Sequence, residues 1–412
     1  MANVIIKNEP TMDEKFAQMQ QDALFDVADQ DDACIPDLSA IKAEIKATVA
    51  LPKLPKLFLS NQCVFNCAYC GCRAGNGEKT TYVNSPKEMA EIAMKSENGQ
   101  GVFLTSAICR NADYTVELMI EAIKKLRTDI GYKGYIHVKI MPGTDIELIR
   151  RAGLYANRLS VNIEVAKSEN YKMVAKDKNK ENILTPMRQI SHLIKTAKSE
   201  HGRYAPTFAT SQTTQLMAGT AGESDYDILR LTSAMYKKYD LKRVYYTSFQ
   251  YKHPAKGYED LTLTTTPPWR MKRLYQADRL MQLYDFTPED IAPNEDFMLE
   301  PDLDPKAAWA LRHIHLYPIE VNTADYEQLL RIPGIGTTYA KRIIKARKYC
   351  KITHDVLRAL GVSLKRSRHF LTANGKYQGE KNENLEIYRA LLATSLDKQD
   401  EVLLNSYAIE DC

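Results

Sequence analysis

From Lys56 to about residue 250 the chain alternates short apolar runs with longer amphipathic stretches, and that alternation restricts the fold more than any other feature. The runs are "LFLS" from 57, "VFLTS" from 102, "YIHVKIM" from 135, "RLSVNIEV" from 158, "TFATSQTTQLM" from 207 and "RVYYTSFQY" from 243. Helix-like segments lie between them, one opening at Ser85-Pro86 with a cap followed by proline, others near 114, 145, 182 and 225. Strands alternating with helices make β/α units around a parallel sheet, and right-handed crossovers curl such a sheet toward a barrel. In sheets of this kind chemistry gathers at the C-terminal ends of the strands.

Directly after the first run, "SNQCVFNCAYCGCRAGN" places four of the eight cysteines, Cys63, Cys67, Cys70 and Cys72, within ten positions. The N-terminus "MANVIIKNEPTMDEKFAQ" has no basic region ahead of an apolar run, and no membrane-length apolar stretch occurs, so a cytoplasmic chain is expected. Cytosolic thiols stay reduced, which directs clustered cysteines toward metal or catalysis. Three thiolates spaced C-x3-C-x2-C can hold three irons of a 4Fe-4S cube and leave the fourth iron open to a substrate. Zinc competes, with Cys72 as a fourth sulfur, although structural zinc usually takes two separated pairs of ligands. Mere burial of thiols requires no such spacing.

"CVFNCAYC" resembles the radical S-adenosylmethionine (SAM) signature, including the aromatic Tyr69 before the third cysteine, and the β/α series over roughly 55–255 resembles that family's six-unit partial barrel. The resemblance implies a 4Fe-4S cluster on Cys63, Cys67 and Cys70, with S-adenosylmethionine chelated at the open iron and cleaved to a 5'-deoxyadenosyl radical. It also implies an electron donor such as flavodoxin or ferredoxin. In place of the family's glycine-rich turn after the second strand stands "FLTSAICRN", so Thr105 and Ser106 take the position that meets the methionine amino group. "SVNIEV" resembles the Asn-x-Glu pattern that touches the ribose, with Asn162 and Glu164 alternating onto one strand face. Gly222, with Gly219 and Glu223, lies in a small-residue turn suited to pass near adenine. Cys109, immediately after strand two, lies on the side where the radical would form and is a candidate to return hydrogen to a product radical, a role that a cysteine fills in the spore photoproduct lyases of this superfamily; the alternative is an inert, half-buried thiol.

A separate logic governs the C-terminal end. Residues 11–40 carry eight acidic side chains against Lys15 alone, a balance of −7, whereas 331–370 carry eleven Lys or Arg against Asp355 alone, a balance of +10. Such polarity suits contact with a polyanion. Within it, "VNTADYEQLLRIPGIGTTYAKRIIKARK" gives a helix capped by Thr323 or Asn322, a turn at Pro333-Gly334-Ile335-Gly336, and a second helix with Ala340, Ile343 and Ile344 on one face. The bare amides after the glycines suit an anionic oxygen, and Lys341 and Arg342, with Lys345 and Arg347, add charge. The stretch resembles a helix-hairpin-helix motif, which grips DNA phosphates without reading sequence. "ITHDVLRALGVSLKRSRHF" echoes it as a degenerate second hairpin with Lys365, Arg366 and Arg368. Two paired hairpins straddle both strands of a duplex.

The expected organisation is α/β: an N-terminal acidic extension (1–54), a radical SAM partial (β/α)6 barrel (55–255), a helical linker (256–317), a small all-α helix-hairpin-helix domain (318–378) and a C-terminal tail (379–412). Over residues 12–378 the chain resembles the radical SAM proteins with a C-terminal helix-hairpin-helix that are described as candidates for DNA modification or repair. That implies double-stranded DNA as partner and a flipped or distorted nucleotide as substrate, either a hypermodified thymine or a lesion. Tyr245, Tyr246, Phe249 and Tyr251 are candidates to stack on the base or to pack the core. The alternatives are an enzyme that modifies tRNA and a non-catalytic iron-sulfur DNA-binding protein.

Overall fold

The structure is a computed structural model that describes residues 15, 18, 19, 54–74, 76, 81–96, 101–200, 208–248, 257, 258, 266–380 and 384–393. Phe249 and Tyr251 fall outside them, as do most of the acidic extension and much of the tail. The chain divides into two compact units: one takes in Val49–Glu223 and Ala234–Thr266, the other Ser224–Ser233 and Pro267–Cys412. The helices between the sheet and the hairpins thus group with the hairpins.

The first unit is a half-barrel. Strands β1 (Lys56–Phe58), β2 (Gly101–Thr105), β3 (Tyr135–Lys139), β4 (Arg158–Ser160), β5 (Ser211–Ala218) and β6 (Arg243–Ser248) lie in sequence order, every neighbouring pair parallel. Helices follow at Pro86–Ser96, Ala112–Thr128, Ile146–Tyr155, Lys180–Ser199 and Asp225–Tyr239. The first opens as its sequence predicts: the Ser85 hydroxyl accepts from Glu88 N at 3.2 Å, and Glu88 Oε2 accepts from Ser85 N at 2.7 Å.

Register sorts the strand residues onto two faces. Phe103 pairs with His137, His137 with Arg158, and Arg158 with Ser211. Phe103 of β2 packs with Leu54 and with Tyr245 of β6, two strands that are not neighbours, so this face is the concave one. Tyr245 is therefore a packing residue of the interior. Tyr246, one position on, is buried on the opposite face, so the two do not form a joint stacking platform. The concave face carries Lys56, Lys139, Arg158 and Arg243, and none of the six strands contains an Asp or Glu. Leu57, Val102, Leu104, Ile136, Val138, Leu159 and Val244, on the convex side, are buried.

Strand β4 is shorter than its apolar run. Regular pairing stops at Ser160. Ile163 N and Glu164 N then both donate to Gln215 O at 3.0 Å, and Glu164 adopts a φ of 62°. Two amides on one carbonyl make a bulge, so the simple alternation expected to put Asn162 and Glu164 on one face does not continue through Glu164.

In the second unit, Arg273 is buried and donates to Glu300 O at 3.0 Å and Pro301 O at 2.6 Å. Two hairpins follow. Helices Tyr326–Arg331 and Thr337–Ala346 form the first, His354–Ala359 and Leu364–Ser367 the second. The first helix is capped by Asp325, not by Thr323 or Asn322: Asp325 Oδ1 accepts from Gln328 N at 2.7 Å and Gln328 Oε1 from Asp325 N at 3.0 Å. The Asp325 carboxylate with Gln328 three residues on closes a capping box. Asn322 instead holds Ile352 through both backbone groups, at 3.0 and 2.8 Å. A small sheet that the sequence does not suggest accompanies the hairpins: β7 (Ile319–Glu320) pairs parallel with β8 (Leu371–Ala373), which pairs antiparallel with β9 (Lys376–Tyr377).

Candidate functional site

The cysteine loop rises from the C-terminal end of β1. Its backbone is tied on several sides: Val64 N donates to Ile108 O at 2.8 Å, Ala68 N to Val174 O at 2.8 Å, and Ala74 N to Phe65 O at 2.9 Å. Asn66 N donates to Asp177 Oδ2 at 2.7 Å, while Asn66 O accepts from the Tyr258 hydroxyl at 2.7 Å. Cys67 is buried and Cys63, Cys70 and Cys72 are half-buried.

Two backbone amides point at sulfur, Phe65 N at Cys63 Sγ and Cys72 N at Cys70 Sγ, each at 3.4 Å. Burial pushes the Cys67 thiol up to about 12 and raises Cys63 as well. Cys70 is held below its ordinary value, first by a hydrogen bond with the Cys72 thiol and then by the Cys72 amide. Among the described residues no three His, Cys, Asp or Glu side chains are grouped around a single ion position. A cube asks for something different, because each thiolate takes its own iron and the sulfurs stand apart around the cluster. Three thiols on one anchored loop, with amides directed at two sulfurs, fit that donor set, and Cys72 serves Cys70 as a hydrogen-bonding neighbour.

The segment between the short helix Asn170–Val174 and Lys180–Ser199 forms one wall of the site, which the sequence does not single out. Lys178 Nζ lies 2.9 Å from Glu164 Oε1 and 3.0 Å from the Tyr69 hydroxyl. Burial and the neighbouring Cys67 and Glu164 charges raise the Tyr69 hydroxyl well above its ordinary value. Lys178 falls in "AKDKNK", which reads as a solvated turn, and nothing local marks it.

Thr105 is buried at the end of β2, and its carbonyl accepts from Leu59 N at 2.9 Å. Ser106 Oγ donates to Ala107 O at 2.6 Å. The Cys109 amide donates to Thr115 Oγ1 at 3.2 Å, and the two side chains are 3.4 Å apart. Ile108, immediately before it, accepts from Val64 N through its carbonyl at 2.8 Å, so Cys109 is one residue from the cysteine loop's anchor. Asn162 is buried beyond β4. After β5, Gly219 and Gly222 take φ values of 84° and 74°, and the Glu223 carboxylate accepts from the amides of Gly219, Thr220 and Ala221 at 2.6 to 2.9 Å. Glu223 thus shapes the turn that presents Gly222.

The two hairpins pack reciprocally. Gly334, at φ 89°, backs onto Ser367 of the second hairpin's last helix, where a Cβ added to the glycine would lie 3.5 Å from Ser367 Cβ. Gly361, at φ 88°, backs onto Tyr339 and Arg342 of the first hairpin, at 3.5 and 3.6 Å. Left-handed backbone in both turns explains the glycines. Ile335 is buried and Gly336 is the N-cap of Thr337–Ala346, whose first amides lack helical partners. Lys341, Arg342 and Lys365 are exposed, though Arg342 also donates to Leu360 O at 3.0 Å. Arg366 is not a free surface cation: its guanidinium is bound to Asp304 and to Leu392 O. Arg368 is half-buried, 3.3 Å from His369 Nε2 and 3.9 Å from Glu380.

No curated protein matches the chain. Among solved structures it is similar to the FeFe-hydrogenase maturase HydG from Carboxydothermus hydrogenoformans, with 17% identity over 55% of this chain and 51% of that one and a TM-score of 0.43. It is also similar to methylornithine synthase (PylB), with 13% identity over 67% of this chain and 74% of that one and a TM-score of 0.46. The match spans about half the length of the maturase. Two family models match: "Radical SAM superfamily" over residues 57–200 and "Helix-hairpin-helix motif" over 317–353. The radical SAM family uses a 4Fe-4S cluster and S-adenosylmethionine. Among the described residues no helix is long and apolar enough to cross a membrane. The six-stranded parallel half-barrel with its cysteine loop is the radical SAM domain of this chain, and a helix-hairpin-helix motif follows it toward the C-terminus.

Proposed function

We propose that the chain is a radical SAM enzyme whose substrate is duplex DNA, and that it modifies or repairs a nucleobase, with the substituent of a hypermodified thymine as one target. The observation that carries the reading is the presence, in one chain, of the C-x3-C-x2-C loop on a half-barrel and two reciprocally packed hairpins. Cys63, Cys67 and Cys70 would hold the cluster. Bound there, the cluster and S-adenosylmethionine supply a 5'-deoxyadenosyl radical able to abstract hydrogen from carbon.

The chain's own groups do the rest. Tyr69, Thr105, Ser106, Asn162, Glu164 and Gly222 surround the C-terminal ends of the strands and are the candidate cofactor contacts. In the Gly334-Ile335-Gly336 turn the Ile335 amide is bound to Ile332 O at 3.1 Å, so the amides that follow Ile335 and Gly336, with Lys341, Arg342 and Lys365, would hold phosphate in a sequence-neutral way. An electron donor of the flavodoxin or ferredoxin class would reduce the cluster.

The test is 5'-deoxyadenosine formation by anaerobically reconstituted protein with reductant and S-adenosylmethionine, with and without duplex DNA. Stimulation by duplex DNA carrying modified thymines supports the reading. Stimulation by tRNA with no response to any duplex overturns it.

A further inference from the structure

A buried ion pair stands against the cysteine loop, and neither of its charges is needed to hold the loop's backbone. The side chains of Lys178 and Glu164 are 11% and 7% exposed, and their charged atoms are 2.9 Å apart. A pair so placed carries a desolvation cost that its own attraction often fails to recover. Glu164 also holds a left-handed backbone conformation that non-glycine residues rarely adopt. Strained backbone and buried charge at one position suggest a role beyond packing.

Lys178 is the charge that reaches the loop: its ammonium lies 3.0 Å from the hydroxyl of Tyr69, which stands between Cys67 and Cys70 in the sequence, and 2.9 Å from Glu164 Oε1. In a desolvated site such interactions are far stronger than in water. The reduction potential of an iron-sulfur cluster follows the net charge around it and the hydrogen bonds to its sulfurs.

We infer that Lys178 and Glu164 set the reduction potential of the cluster in opposite directions, the ammonium favouring the reduced state and the carboxylate opposing it. The inference rests on the assignment of the cluster to Cys63, Cys67 and Cys70. The step concerned is uptake of one electron from an external low-potential donor. The added negative charge is what the ammonium stabilises, and no bond or proton need move.

The experiment is an anaerobic redox titration of the reconstituted full-length protein, without S-adenosylmethionine, followed by the electron paramagnetic resonance of the reduced cluster. Iron and sulfide are counted in every sample. Lys178→Gln should lower the midpoint so that the reduced-to-oxidised ratio at a fixed potential falls about tenfold, a shift of about 59 mV for one electron. Glu164→Gln should raise it, and the double variant should fall between the two. A purely structural pair predicts instead that both single variants shift the same way or not at all, and either result at wild-type iron content overturns the inference. Should Lys178→Gln fail to take up iron, Lys178→Arg and Glu164→Gln decide: Arg must keep the wild-type midpoint while Gln at 164 raises it, and any other pattern overturns the inference. A Cys67→Ala protein that retains the cluster signal would instead remove the ligand assignment itself.

Discussion

The Asp304 carboxylate binds the Arg366 guanidinium and also caps the helix Pro305–Arg312, accepting from Ala307 N at 3.0 Å. One carboxylate thereby fixes the start of a helix and anchors the second hairpin. Arg366 has every sequence attribute of a phosphate-binding residue, yet its charge is already engaged. Arg366→Ala should cost stability on the order of 2 kcal/mol, less than a fully buried pair because the guanidinium is partly solvated. The salt dependence of DNA binding should stay at the wild-type value. Chemical denaturation beside a binding titration measures both, and a flattened salt slope with stability intact would assign Arg366 to the DNA face.

The same pair predicts acid sensitivity. Burial alone would raise the Asp304 carboxyl, but Arg366 and the Ala307 amide outweigh it, and the group lies below its ordinary value. A carboxyl depressed in the folded state contributes stability that is complete above its unfolded pKa, about 3.9, and is lost as pH falls through the lower folded value. Asp304→Asn should remove that part of the acid dependence and lower stability at neutral pH. Denaturation midpoints between neutral pH and pH 3 test this, and an unchanged difference between the two proteins across the range would contradict it.

The hairpin surface gives a contrasting prediction. Lys341 and Lys365 are exposed, and a lysine that neutralises one phosphate adds about one to the salt slope of DNA binding. Lys341→Ala and Lys365→Ala should each flatten the slope by that amount and weaken binding to duplexes of unrelated sequence about equally, with thermal stability unchanged. Weakening confined to one sequence would mean base readout instead of phosphate binding.

What can be read from the sequence is whatever repeats locally. Alternating runs mark the six strands, and Ser85-Pro86 and the Pro-Gly-Ile-Gly turn mark their helix starts, because caps and left-handed turns depend on neighbours in the chain. Local signals also mislead when two compete: Thr323 looks like a cap, but Asp325 with Gln328 makes the better one. Lys178 is invisible in the sequence because its partners lie 14 and 109 residues away and meet only when the half-barrel forms. Arg366 reads as a free cation for the same reason, with Asp304 62 residues distant. Tyr245 and Tyr246 look alike in the sequence and are separated only by strand parity.

The cysteines separate the cluster reading from a zinc site. Cys63→Ala, Cys67→Ala and Cys70→Ala should each abolish the brown colour and the reduced-cluster resonance, and with them 5'-deoxyadenosine formation. Cys72→Ala should keep iron and sulfide but shift the midpoint, because it removes only the hydrogen-bonding neighbour of Cys70. Loss of bound metal in all four variants alike, with zinc in the wild type, would instead identify a four-thiolate site.

Cys109 offers the last test, because its thiol meets the Thr115 hydroxyl and sits one residue from the Ile108 carbonyl that anchors Val64 of the cysteine loop. If that thiol returns hydrogen to a product radical, Cys109→Ala should still cleave S-adenosylmethionine in the presence of duplex DNA while the product distribution shifts toward by-products of an unquenched radical. Deuterium from solvent, carried into product through the exchangeable thiol in the wild type, should vanish in the variant. Thr115→Val should leave the chemistry intact, since the Thr115 hydroxyl orients the loop without reaching the radical, and so separates a fold effect from loss of the thiol. An unchanged product distribution in Cys109→Ala would reduce Cys109 to a packing residue.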